Sequence, residues 1–219
     1  MNKKINFIFK KKKIYKFFLY LLVFFIVIFS TYFLIPKFFN YTPYLIQQSL
    51  KKNSNIKIKN ISNIDYKFFP SPRLRLSRIN LEFKDNIMEV KDAEMDIILN
   101  PLSIINYNIL DYDKFLIKEG STNIQINKIN QLYNYIKENQ KKINFKNNNI
   151  ILLVKNKKLI EINNSLVKIN TKNSIQKVNI NGNFFNHKIS FIFEDRPNSK
   201  TKLILKIPDL DISTNILLE

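Results

Sequence analysis

RLRLSRINLEFKDNIMEVKDAEMDIIL, residues 73–99, decides how this chain folds. Leu74 and Leu76 share one parity, whereas Ile79, Leu81 and Phe83 take the other. Apolar residues at every second position mark a strand with one apolar and one polar face. A change of parity inside such a strand marks a bulge, where one residue is extra. The second half repeats the pattern: Met88 and Val90 are even, while Ala93, Met95, Ile97 and Leu99 are odd. Folding the halves about a two-residue turn at Asp85-Asn86 pairs residues whose numbers sum to 171. Phe83 then meets Met88, Leu81 meets Val90, Leu76 meets Met95 and Leu74 meets Ile97. Both parity changes, near 77–78 and near 91–92, fall at one level of this hairpin, which supports the pairing. Arg75 comes opposite Asp96, with Glu94 diagonal to it.

The hairpin also holds three of the chain's four arginines, Arg73, Arg75 and Arg78, against 32 lysines overall. A planar guanidinium fork suits carboxylates and phosphates alike. Two readings stay open: ion pairs with Asp92, Glu94 and Asp96 on a solvated sheet face, or a grip on a lipid headgroup. As a metal site, D-A-E-M-D has oxygen ligands, but a strand splays its three carboxylates along about 13 Å. No metal is expected there.

Outward from the hairpin, period two continues. Ile56 and Ile58 precede it; Phe115 and Ile117, Ile124 and Ile126, Ile160 and Ile162, Val167 and Ile169, and Val178 and Ile180 follow. Ile189, Phe191 and Phe193, then Leu203, Leu205 and Ile207, then Leu210 and Ile212, complete the series. Short breaks between them predict a meander of antiparallel strands. Helices interrupt it. Thr42-Pro43 predicts a capped helix over about 43–52, ended by Asn53–Asn55. Asn100-Pro101 predicts another. In residues 126–139, Ile129, Leu132, Tyr133 and Ile136 share one helical face. The expected fold class is mainly β with one N-terminal transmembrane helix, two or three short helices, and a curled antiparallel sheet enclosing a groove.

Residues 17–35, FFLYLLVFFIVIFSTYFLI, contain no charge and no glycine. As a helix they rise about 28 Å, close to a hydrocarbon core of about 30 Å. Their Phe, Leu, Ile and Val side chains favour insertion by roughly 5 to 9 kcal/mol. The run is too long, and its exit through TYFLIPKFF too bulky, for a cleaved signal peptide, so an uncleaved signal anchor is expected. Phe17, Phe24, Phe25 and Ile35 are its anchor residues. Seven lysines precede it and only Lys37 soon follows, which places the N-terminus in the cytoplasm. The expected organisation is a basic tail (1–16), the span (17–35), a juxtamembrane helix and turn (36–55) and an exported β-rich domain (56–219).

Composition narrows the function classes. Net charge is +19, yet Lys, Asn and Ile are all over-used, which fits an AT-rich coding bias. The aromatics concentrate in the first 45 residues rather than interleaving with a basic face, so no nucleic-acid partner is expected. The chain has no cysteine and one histidine, His187, which argues against thiol, triad and His-rich metal chemistry. Asp111 and Asp113 read as turn polars. Gly120 and Gly182 read as turns or bulges. No enzyme activity, cofactor or metal is expected.

The segment order resembles the amino-terminal region of the AsmA family, which is anchored in the inner membrane of Gram-negative bacteria and has relatives among bridge-like lipid transfer proteins. The resembling course is the Lys-flanked anchor, the helix at 43–52, IKIKNIS, FFPSPRLRLSRINLEF, EVKDAEMDIILNPLSIIN and NILDYDKFLIKEGSTNIQI. It departs from the family at Asn53–Asn55, where Thr-Gly is usual, and at KEGSTN, where an Asp-Gly stretch is common. The resemblance implies a periplasmic β-groove that binds or conducts phospholipid in support of outer-membrane homeostasis or assembly. Its expected wall is Leu74, Leu76, Leu81, Phe83, Met95, Ile97 and Ile117, with Arg73, Arg75 and Arg78 as the charged face or headgroup contact. The alternatives are a tethered scaffolding module that binds proteins through a sheet edge, and an LptC-like jellyroll for lipopolysaccharide transit.

Overall fold

A computed structural model of the chain describes residues 2–106, 110–139, 142–172, 175–196 and 201–218. The chain divides into two units, Met1–Asn40 and Tyr41–Glu219. The first is helix α1 (Asn2–Leu34) with a 3-10 turn at Ile35–Phe38. Within it, the 24 residues Tyr15–Phe38 are long and apolar enough to cross a membrane. The basic segment and the apolar run share one helix, so no structural break falls at 16–17. Phe17, Phe24, Phe25 and Ile35 are all exposed. Thr31 Oγ1 donates to Val27 O at 2.8 Å, so this hydroxyl is satisfied within the helix, as a bilayer core demands. The expected 36–55 segment is split between the two units.

The second unit opens with α2 (Pro43–Ser54). Thr42 Oγ1 accepts from Leu45 N at 3.3 Å, and Asn55 ends the helix in the left-handed conformation (φ 50°). Among the described residues twelve strands follow in one sheet: β1 (Ile56–Asn60), β2 (Asn63–Lys67), β3 (Arg73–Phe83), β4 (Met88–Leu99), β5 (Tyr112–Lys118) and β6 (Ser121–Gln125), then β7 (Lys142–Val154), β8 (Lys157–Lys172), β9 (Ile175–Phe184), β10 (His187–Asp195), β11 (Thr201–Ile207) and β12 (Ile212–Leu218). β1 and β2 lie end to end along β3, and β5 and β6 end to end along β4. Strands otherwise follow in sequence order, with no Greek-key return among the described residues.

The β3–β4 register is the one read from sequence: Leu74 pairs with Ile97, Arg75 with Asp96, Leu76 with Met95, and Leu81 with Val90. The meander is not wholly antiparallel. β5 and β6 pair with β7 in parallel. The crossover between them carries α3 (Ile129–Glu138), as a parallel connection requires a length of chain to return. Only Leu132, Tyr135 and Ile136 of α3 are buried; Ile129 is exposed, and Tyr133 turns toward β10. The helix expected at Asn100-Pro101 is instead a pair of turns over the described residues 100–106, with Asn100 Oδ1 accepting from Leu102 N at 3.0 Å. The rest of that stretch, Tyr107 and Asn108, lies outside the described residues.

The parity changes of the hairpin belong to a larger feature. Residues 61–62 between β1 and β2, Arg78, Asp92, Glu119–Gly120, Asn147 and Asn164 all stand at one level, strand beside strand; the register shifts there in the β3–β4, β7–β8 and β8–β9 pairings and holds through Glu119–Gly120. From Arg78 to Asn164 the chain there is left-handed, with φ between 49° and 65°. Asparagine side chains replace lost rungs: Asn60 Oδ1 accepts from Asn80 N and Asn80 Oδ1 from Asp92 N, both at 2.9 Å, and Asn149 Oδ1 from Asn164 N at 3.2 Å. Gly120 is required at the seam. Its φ is +65°, and a Cβ there would lie 2.3 Å from Lys91 O. Aligned bulges bend a wide sheet toward closure. The seam ends at Gly182 of β9, and the pairings among β9, β10, β11 and β12 run without a shift.

α2 and α3 cover the apolar face of the bulged part. Ile46 and Leu50 of α2 are fully buried. Tyr135 packs edge-on against Phe83 at 5.8 Å and donates to Ser54 O at 2.6 Å. Ser54 Oγ lies 2.7 Å from the Tyr112 hydroxyl, and Ser49 Oγ donates to Leu110 O at 2.8 Å. These bonds fix both helices to the sheet and to each other.

Candidate functional site

The register places apolar side chains in continuous rows across the sheet. One row runs Leu74, Ile97, Phe115, Ile143 and on through Ile169 to Val178, Phe193, Leu203 and Ile216. The next runs Leu76, Met95, Ile117, Phe145 and on through Val167 to Ile180, Phe191 and Leu205. All of these residues point to one face, because pairing partners in a sheet share a side.

Burial divides the rows. Leu74, Leu76, Leu81, Met95, Ile97 and Ile117 are 0% exposed and Phe83 is 1%. All seven expected groove residues are therefore core: α2 and α3 close over that face, and the wall assignment is corrected. A side chain shared between sheet and helix has no surface left to offer an acyl chain.

Farther along the same rows the cover stops. Val178, Ile180, Ile189, Phe191, Phe193, Leu203 and Leu205 are only half-buried, and Ile212 and Ile216 of β12 are exposed. α3 reaches the border of this area: Tyr133 packs edge-on against Phe193 at 5.9 Å and donates a hydrogen bond to Asp195. No described α-helix follows Glu138; only a 3-10 turn at Pro208–Leu210 does. Four strands at about 4.8 Å spacing and about 20 Å of strand length leave an apolar surface on the order of 300 Å². Patches of that size on folded domains are often interaction sites. Sequence alternation marked these residues, and the lack of a helical period in residues 140–219 was the signal that no helix of this stretch covers them.

The arginines converge in part. Asp96, almost wholly buried on the opposite face, accepts from Arg75 Nε at 3.0 Å and from Lys118 Nζ at 2.6 Å, with Arg73 Nε at 3.5 Å. Burial pushes the Asp96 carboxyl up, but the hydrogen bonds and charges of Arg75 and Lys118 outweigh it and hold the group below the usual carboxylate range. Arg73 also donates to Phe69 O at 2.7 Å. Arg78 is exposed at the seam, apart from this cluster. Arg73 and Arg75 thus form an ion cluster with Asp96 on the face opposite the apolar rows, the ion-paired of the two readings open in the sequence, and Arg78 stands outside it.

The other sequence candidates stand in a turn and at a strand end. Asp111 Oδ2 accepts from Asn100 Nδ2 at 2.8 Å in a turn. His187 Nδ1 lies 3.8 Å from Asp209 Oδ2 at the β9–β10 end of the sheet. Among the described residues no cluster of three His, Asp or Glu is arranged to hold a metal. Comparison with known proteins finds no matching family model, curated protein or solved structure.

Proposed function

We propose that this is a single-pass, AsmA-like membrane protein whose β9–β12 face binds acyl chains of phospholipid. The observation that carries the reading is the loss of cover along rows that are core in β3–β7. The same chain carries a helix apolar enough to span a bilayer, so the abundant apolar ligand near the domain is lipid hydrocarbon. Each CH₂ moved from water onto the face is favourable by about 0.8 kcal/mol. In this reading α1 sits in the inner membrane with the lysine-rich end in the cytoplasm, the sheet is periplasmic, and lipid held there serves outer-membrane assembly or homeostasis. Residues acting on a reaction are not part of it.

The test is native mass spectrometry of the full chain released from detergent micelles. Wild type is expected to carry phospholipid, and Phe191→Asp to lose it while still folded by circular dichroism. A lipid-free wild type would sink the reading. One observation favours a scaffolding role instead. β12, Ile212–Leu218, is the outer strand among the described residues and carries no charge or proline, whereas β1 and β2 on the opposite edge carry Lys57, Lys59, Asp65 and Lys67. Uncharged edges pair readily with other strands. Protein co-purifying without lipid, and released by Leu217→Lys, would favour it.

A further inference from the structure

We propose that the polar row Thr171–Gln176–Asp195–Thr201, with Tyr133 of α3, is a head-group subsite at the end of the apolar face and takes a primary ammonium group of the phosphoethanolamine class. The inference rests on the lipid reading above. Gln176 pairs with Thr171 on one side and with Asp195 on the other. Each member lies two positions beyond a residue of the apolar row, Ile169, Val178, Phe193 or Leu203, and so points to the same face about 7 Å farther along its strand. A lipid with its tail on the apolar rows would bring its polar end here.

Two features ask for a ligand. Gln176 is 1% exposed, and neither its amide nitrogen nor its amide oxygen has a hydrogen-bond partner among the described residues. Buried amides are almost always satisfied, so an orphan pair calls for a missing polar group. Asp195 accepts from two neutral donors, the Tyr133 hydroxyl and Thr201 Oγ1 at 3.0 Å, and forms no ion pair among the described residues. Three of the described cations close in sequence are engaged elsewhere: Arg196 and Lys177 bond Glu194 on the opposite face, and Lys137 lies over the Tyr133 ring at 5.8 Å. In a chain of charge +19, a half-buried carboxylate with no ion pair among the described residues suits a cation brought by the ligand. A primary ammonium has three N–H donors, which match Asp195, Gln176 Oε1 and a threonine hydroxyl. Gln176 Nε2 is left to donate to an ester or phosphate oxygen.

The experiment uses the full chain in detergent micelles with equimolar phosphatidylethanolamine and phosphatidylglycerol of identical acyl composition, and reads the retained ratio by native mass spectrometry. Wild type is expected to enrich phosphatidylethanolamine about tenfold, the scale of one charge-assisted hydrogen bond. Asp195→Asn should bring the ratio to about parity at unchanged total lipid, and Gln176→Leu should lower it. Phosphatidylcholine, which has no N–H, should compete only as well as phosphatidylglycerol. Equal retention by wild type, or enrichment that survives Asp195→Asn, overturns the subsite and leaves the apolar face standing. Retention of neither lipid overturns the lipid reading itself. Should Asp195→Asn fail to fold by circular dichroism, Tyr133→Phe and Gln176→Leu decide the matter on the same ratio.

Discussion

Truncating two leucines of one row separates a closed core from an open face. Leu76 is 0% exposed and faces Ile64 and Met95 on either side. Leu76→Ala removes three carbons, about 2.4 kcal/mol of transfer energy, and leaves a cavity under α2 and α3, for a total of about 3–4 kcal/mol. Leu205 stands in the same row between Phe191 and Thr214 and is half-buried. There the same truncation forfeits about 1 kcal/mol, since solvent fills the space and no cavity forms. In a domain of this size about 1 kcal/mol moves Tm by about 2–4 °C, so the expected losses are about 10 °C and about 3 °C. Circular dichroism melts of the full-length variants in detergent measure them, with retained lipid counted alongside. A Leu205→Ala loss as large as that of Leu76→Ala would refute the argument, because it would mean that the face is closed in solution.

Asp96→Asn keeps the shape of the buried cluster and removes its charge, leaving Arg75, Lys118 and Arg73 facing one another; a loss of about 3 kcal/mol is expected in denaturant titration. The pH dependence has a definite sign. A carboxyl held below its unfolded value adds stability at any pH above that value, about 3.9, and the contribution is lost as pH falls through the folded pKa. Wild type should therefore lose stability below about pH 4 more steeply than Asp96→Asn, and parallel acid limbs would remove Asp96 as the cause. Gly120→Ala should destabilise the domain by more than about 2 kcal/mol, because a left-handed alanine and an overlap with Lys91 O add together; a melt within about 2 °C of wild type would show that the seam relaxes there.

The β3–β4 hairpin was legible in detail because both of its signals are local. Alternation assigns the face, and a parity change counts one residue, so two strands joined by a short turn can be aligned by arithmetic. Six of the thirteen non-glycine left-handed residues described are asparagines. In a chain with two glycines, Asn supplies the left-handed positions that turns and bulges need. Its abundance hid this in the sequence, where a bulge Asn looks like any other. The parallel junction at β7 was hidden for a different reason. Period two is the same for parallel and antiparallel strands, and only the crossover through α3 sets the direction. The wall residues were misplaced because Leu76 and Leu205 carry the same alternation. Helical periodicity in 126–139 marked α3 without telling which strands it would cover.

By itself the sequence determined what each stretch of about ten residues would do: an apolar helix first, then strands with one greasy side, bent where parity changes. Those are consequences of local sterics and side-chain period, and they hold wherever the segment lies. The tertiary structure decided which part of that greasy side is core and which is surface. Burial is a property of the whole packing: two short helices can shield only the strands they reach, and here that cover ends beside β10.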